Sequence, residues 1–184
     1  MSQSSAGNAI LSYIKYPFIL GGDVAGEVVE VGPDVKTFQI RNRVIGQAAA
    51  CAPTSNNPAE RACQHYTLIR EHLAAAIPDF MPYQEAVVLP LALLTAACGL
   101  FHQDFLVLDP PTVPATPPNA NKAVIVAGGA SSVGSNAVQL AVSAGYQVYS
   151  TASPKNFAYV EKLGATKVFD YHSATVVDDM VAAL

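Results

Sequence analysis

The run Ala127-Gly128-Gly129-Ala130-Ser131-Ser132-Val133-Gly134 places three glycines and two hydroxyls in eight residues, directly after an apolar stretch and directly before a helical pattern. Set on the G-x-G-x-x-G spacing, it keeps Gly129 and Gly134 and has Ser131 at the middle position. Gly129 permits a tight turn, and Gly134 lets helix and strand approach. The backbone N–H groups of Ala130, Ser131, Ser132 and Val133 then stand at the positive end of a helix, where they can grip a pyrophosphate. The Ser131 and Ser132 hydroxyls add donors. The same glycines also suit an ordinary strand-to-helix turn, so the chemistry depends on what stands about twenty residues later.

At that position an acidic side chain accepts from the ribose hydroxyls of NAD, and a basic one pairs with the extra phosphate of NADP. No Asp or Glu occurs between Gln147 and Val160. The segment there is Ser150-Thr151-Ala152-Ser153-Pro154-Lys155-Asn156, in which Ser153 and Asn156 can donate hydrogen bonds and Lys155 supplies a point charge for phosphate. The pattern favours NADPH; the alternative is a polar loop with a solvated lysine. Tyr171, after Phe169-Asp170, can reach the same adenosine phosphate or lean on the adenine, and by itself reads equally as a surface tyrosine.

The elements that must hold these residues follow from periodicity. Ala123 to Ala127 is five apolar residues in a row, the mark of a strand buried on both faces of a parallel sheet. Val133, Ala137, Leu140, Ala141 and Ala144 then form one helical stripe that Gly145 ends. A strand over 147–151, a helix over 155–163 closed by Gly164, a strand over 167–170 and a helix capped by Ser173 complete an α/β alternation. Upstream, Asp23 to Gly46 reads as a hairpin-like β region, with Val24 to Val31 and Thr37 to Ile45 as its arms and a turn at Gly32-Pro33-Asp34. Between these regions 109–121 holds five prolines and is expected to be the domain boundary.

Composition narrows the partners. With 51% hydrophobic residues the chain can bury a sizeable core, and its net charge of −4 without a basic stripe argues against nucleic acid and for a small-molecule ligand. No apolar run is expected to cross a membrane, because the richest, Ala86 to Leu100, is interrupted by Pro90. Without a basic leader before a long apolar run, a cytoplasmic location is expected. Cys51, Cys63 and Cys98 form no C-x-x-C pair and read as buried reduced thiols, and the four histidines show no metal-ligand spacing.

In order and spacing, three segments resemble the medium-chain dehydrogenase/reductases: Leu20-Gly-Gly-Asp-Val-Ala-Gly-Glu-Val-Val-Glu-Val-Gly-Pro-Asp-Val35, Leu89 to Phe101, and the glycine turn with its Thr151-to-Asn156 loop. The nearest likeness is to zinc-independent quinone-oxidoreductase-like and fungal trans-enoyl-reductase-like members, spanning Tyr16 to Tyr171. The resemblance implies a partial GroES-like β domain over 1–108, a proline-rich link over 109–121, and an incomplete Rossmann doubly wound parallel sheet over 122–184. It implies hydride transfer from NADPH to an activated alkene (enone or enoyl thioester) or a quinone. It carries the pyrophosphate turn onto Ala130, Ser131, Ser132 and Val133, the 2′-phosphate loop onto Ser153, Pro154, Lys155 and Asn156, and the adenosine-side tyrosine onto Tyr171. Thr95 and its neighbours up to Phe101 fall on the segment bordering substrate and nicotinamide, though Leu91 to Leu100 also suits a helix in a domain core.

Departures from the family matter as well. Zinc-dependent members carry His in a G-H-E motif; the corresponding run here is Gly21-Gly22-Asp23, so no catalytic metal is expected and no general acid can be named. Arg41-Asn42 replaces the usual Gly-Asp turn, and because Arg resists a positive φ that turn is expected to be built differently. Only 55 residues follow Gly129, enough for the second and third strands and a final helix of a six-stranded order, so both ends read as cut. The first strand would then be an apolar edge, inviting self-association or a covering partner. Two readings follow: a reductase with impaired turnover, or a non-catalytic nucleotide-binding or interaction module derived from one.

Overall fold

The computed structural model describes residues 12–14, 17–49, 55–114, 117–118 and 121–184. Cys51, Tyr16 and parts of the 109–121 segment lie outside the described residues. The chain divides into two compact units, residues 1–91 and 92–184. Compactness therefore divides the chain at Leu91/Ala92 and leaves the proline-rich segment inside the second unit. The reason is that Ala96 and Leu100 pack in the same apolar cluster as Val124, Val126 and Val148.

In the first unit β1 (Asp23–Glu27), β2 (Arg43–Gln47) and β3 (Ala74–Ala76) form an antiparallel sheet in the order β1-β2-β3. The expected hairpin is present, with Asp23 opposite Gln47 and Glu27 opposite Arg43. Its arms are shorter than the sequence suggests, because Val29, Val31 and Ile40 are exposed and have no core to join. The pairing nevertheless runs on through Val28 N–H to Asn42 O (2.9 Å) and Arg41 N–H to Val28 O (2.8 Å). At this end Arg41 takes φ 76°. The sequence expectation that Arg would force another construction is thus overturned: the Gln39 N–H bonds to Asn42 Oδ1 (2.7 Å) and the Asn42 N–H to Gln39 O (3.0 Å), and these hold Arg41 in the left-handed region. β3 was not legible at all, since three alanines have little strand preference.

A short helix, α1 (Tyr83–Ala86), precedes α2 (Pro90–Phe101). By length and composition alone, Tyr83–Phe101 is long and apolar enough to cross a membrane, contrary to the expectation that no run is. It is two helices, however, and α2 buries Ala96 and Leu100 in the core of the second unit.

The second unit is built on β4 (Ala123–Val126), β5 (Gln147–Ala152) and β6 (Lys167–Asp170), all parallel and in the order β4-β5-β6. The crossovers carry α3 (Ser132–Ser143) and α4 (Phe157–Lys162), and α5 (Val176–Val181) follows β6. β4 is an edge strand here and is not buried on both faces: Val124 and Val126 are buried, whereas Ala123 is exposed and Ile125 is 48% exposed. The stripe of α3 is also displaced from the expected one. Ala137, Val138, Ala141 and Ala144 are buried, while Val133 faces outward in the first turn. Ser173 does not cap the last helix; its hydroxyl accepts from Thr175 N–H (3.3 Å), and Thr175 is the capping residue.

The free thiols of Cys63 and Cys98 are exposed, not buried. Cys98 lies on the outward side of α2, while Cys63 stands against Gly21, whose left-handed backbone (φ 101°) leaves no room for a side chain.

Candidate functional site

The carboxyl ends of β4, β5 and β6 carry the glycine turn, the Ser153-to-Asn156 loop and Tyr171 respectively, the end of a parallel sheet at which ligands bind. Each glycine of the turn has a separate task. Gly128, not Gly129, supplies the left-handed residue (φ 71°) and closes the turn by accepting from Ser131 N–H at 2.9 Å. Gly129 is required by space: a Cβ there would fall on the Ser150 hydroxyl and 2.9 Å from Val160 Cγ1. A Cβ on Gly134 would fall on the Gly128 carbonyl, so the close approach expected of Gly134 is between the first turn of α3 and the glycine turn itself.

Thr151 fastens the two loops together. Its carbonyl accepts from Gly129 N–H and its hydroxyl from Gly128 N–H, each at 3.0 Å. Ser150, fully buried, donates to Val126 O at 2.8 Å. Sequence reasoning gave these two residues no role; a hydroxyl at the end of β5, level with the glycines, was the available signal.

Ser131 is the N-cap of α3, its Oγ accepting from Gly134 N–H at 3.0 Å. Because Ser131 N–H closes the turn, the set of free donors is smaller than the four expected. Among the described residues the N–H groups of Ala130, Ser132 and Val133 make no hydrogen bond. Ser131, Ser132 and Val133 are exposed, so the start of α3 faces outward. The helix dipole adds to these donors and makes the position favourable for an anion.

The second loop is a 3-10 turn, Pro154–Asn156, ahead of α4. Asn156 bonds back to Ser153 through its N–H (2.8 Å to the carbonyl) and its side chain (3.2 Å to Oγ). Pro154 and Lys155 are exposed, and no carboxylate among the described residues lies within ion-pair reach of Lys155. Tyr171 is 51% exposed, its ring 4.2 Å from that of His172.

The two substrate-side residues part company. Thr95 is exposed and lines a groove of about 440 Å³ with Leu94, Cys98, Gly99 and Phe105. Phe101 is half-buried against the apolar cluster and does not line that groove, whereas Phe105 does. Asp23, at the position of the G-H-E acid, accepts a hydrogen bond from Leu91 N–H at 2.7 Å. Among the described residues no three His, Cys, Asp or Glu side chains gather where they could hold a metal.

Residues 3–94 match the alcohol dehydrogenase GroES-like domain family. The chain belongs to the medium-chain dehydrogenase/reductase superfamily. Within that superfamily it is 51% identical over 179 residues to the dehydrogenase pigH of Monascus ruber, covering 97% of this chain and 48% of that protein. It is 42% identical over 171 residues to the trans-enoyl reductase himH of Aspergillus japonicus, covering 93% and 48%. An alcohol dehydrogenase superfamily protein from Novosphingobium aromaticivorans superposes with a TM-score of 0.73 at 29% identity, over 92% of this chain and 46% of that one. A mycobacterial protein solved in complex with NADPH gives a TM-score of 0.66 at 25% identity, over 92% and 47%. The chain spans about half the length of the curated relatives it matches.

Proposed function

We propose that this chain carries the adenosine and pyrophosphate half of a dinucleotide site belonging to a zinc-independent, NADPH-dependent reductase of an activated C=C bond or a quinone. The observation that carries the reading is the pairing of two features at one sheet end: three N–H groups that are unengaged among the described residues at the outward-facing start of α3, and an acid-free loop bearing Lys155 after the next strand. The residues fit the cofactor. Ala130, Ser132 and Val133 would hold the pyrophosphate through N–H groups, with Ser131 and Ser132 hydroxyls beside them. Lys155, Ser153 and Asn156 would take the 2′-phosphate, and Tyr171 would lie on the adenosine side. When bound, NADPH supplies the hydride.

Thr151 keeps the glycine turn and the phosphate loop in fixed relation, so one ligand can span both without the protein having to order them first. The himH relative, a trans-enoyl reductase by name, supports the enoyl thioester as substrate class. Gly22 in place of the zinc-ligand His, with the neighbouring Asp23 carboxylate engaged by Leu91 N–H, supports a zinc-independent chemistry. A cytoplasmic setting and the extent of the GroES-like region (1–108) belong to the same proposal.

Titration of the chain with NADPH and NADH tests the reading. NADPH should bind more tightly, and Lys155→Ala should weaken NADPH while leaving NADH unchanged; equal or absent binding of the two overturns it. A second reading, a nucleotide-binding module that moves no hydride, is favoured by one observation: among the described residues β4 pairs on one side only. Steady-state oxidation of NADPH in the presence of a quinone or an enone separates the two, since the module should show none.

A further inference from the structure

Two peptide units make the tip of the glycine turn. In the first, Gly128 C=O accepts from Ser131 N–H at 2.9 Å and Gly129 N–H donates to Thr151 O at 3.0 Å, so both halves are engaged. In the second, Gly129 C=O accepts from the Ser135 hydroxyl at 3.1 Å, and Ala130 N–H makes no hydrogen bond among the described residues. A trans peptide is planar, with its C=O and N–H pointing opposite ways. The hydroxyl that holds the Gly129 carbonyl therefore also fixes the direction of the Ala130 N–H. Ser135 is buried, and its oxygen in turn receives the Tyr159 O–H at 3.1 Å. The result is a relay from α4 through α3 to the turn: Tyr159 to Ser135 to Gly129.

A peptide flip turns ψ of the residue before it and φ of the residue after it; Gly129 takes its new angle freely, whereas Ala130 would be driven to a positive φ, so the backbone itself opposes the flip and the Ser135 bond adds to that opposition. A flip of the Gly129–Ala130 peptide would turn a carbonyl oxygen to where the N–H now stands and would repel an anion there. We propose that Ser135 and Tyr159 are positioning residues that lock this peptide in its anion-binding orientation, so the Ala130 N–H is set before any dinucleotide arrives. The proposal deepens the reading given above and rests on it. It also separates two kinds of selectivity. The Ala130 N–H would meet the pyrophosphate, which NADPH and NADH share, whereas Lys155 would meet only the 2′-phosphate. The relay accordingly sets affinity for dinucleotides in general and not the choice between them.

Dissociation constants of NADPH and NADH for the wild-type chain, Ser135→Ala, Tyr159→Phe and Ser135→Thr test this, together with the amide chemical shift of Ala130 in each. Ser135→Ala should weaken both dinucleotides by the same factor, about threefold to tenfold for one lost hydrogen bond. Tyr159→Phe should act in the same direction but less, the Ala130 amide should shift in both, and Ser135→Thr should restore affinity. If Ser135→Ala does not fold, Tyr159→Phe carries the test. Unchanged affinity in the folded variants, or a loss confined to NADPH, overturns the relay. A wild-type chain that takes up neither dinucleotide overturns the dinucleotide reading and the relay with it, a result distinct from wild-type binding that the variants leave intact.

Discussion

A carboxylate oxygen of Asp23 accepts the backbone N–H of Leu91 at 2.7 Å, across 68 residues of sequence. Leu91 is the second residue of α2, so the strand β1 caps a helix that begins far along the chain. The carboxylate satisfies one of the orphan donors of the first turn and sits at the positive end of the dipole.

Removing this cap should cost about 1 kcal/mol of stability in Asp23→Ala, and less in Asp23→Asn, which keeps an acceptor but not the charge. Urea unfolding of the two variants checks the order; equal stability of wild type and Asp23→Ala would show that the cap contributes nothing.

Arg41 holds φ 76°, a region that costs a residue with a Cβ about 1 kcal/mol or more and glycine almost nothing. Arg41→Gly should therefore raise the unfolding free energy by roughly 0.5–1 kcal/mol, after allowing for the greater freedom glycine gives the unfolded chain. Arg41→Asn should give part of the gain. A decrease in Arg41→Gly would mean the arginine side chain contributes more than its backbone strain removes.

The base of the proline-rich segment is closed by an ion pair, Lys122 Nζ to Asp109 Oδ2 at 2.7 Å, with Asp109 N–H donating to the Tyr146 hydroxyl at 3.0 Å. The hydrogen bond and charge of Lys122 hold the Asp109 carboxyl below its ordinary range, and the same contact with Asp109 raises the Lys122 ammonium above its own. A lowered acid contributes stability above the ordinary carboxylate pKa and loses it as pH falls through its folded value. A raised lysine contributes below the ordinary lysine pKa and loses it as pH rises through its folded value. The stability difference between wild type and Asp109→Asn should thus be flat through neutral pH and shrink at both acid and strongly alkaline ends. Both groups are exposed, so it should also shrink with added salt. Thermal unfolding across pH checks this.

Among the described residues β4 pairs on one side only, and it carries the exposed side chain of Ile125. Light scattering of the chain at rising concentration should show association, and Ile125→Lys should reduce it, because a charge on an edge strand opposes pairing with a second copy. A wild-type chain that remains monomeric at high concentration would refute the expectation.

Much of the second unit was legible because its strands are short and the first two lead into glycine or proline turns, Gly128-Gly129 after β4 and Pro154 after β5. Lys167–Asp170 appears as expected, and Gly145 and Gly164, at φ 86° and 107°, end their helices as their positions suggest. What periodicity could not give was the division of labour inside the glycine turn. Gly128 takes the left-handed angle while Gly129 is required by the Ser150 and Val160 side chains that press on it from neighbouring elements, and the latter is a tertiary fact. The same holds for Val133: Ala137, Ala141 and Ala144 of the expected stripe are buried and Val138 joins them, while the first turn presents Gly134 to the glycine turn and leaves Val133 outside. Cys63 and Cys98 read as interior by residue type, and that average preference gave way to the particular side of each backbone that faces solvent.

In the parallel sheet the order in space, β4-β5-β6, repeats the order along the chain. Each new strand can be laid down against the one just finished, with its connecting helix already behind it. During synthesis, each strand of this sheet after the first meets its partner among residues that have already left the ribosome.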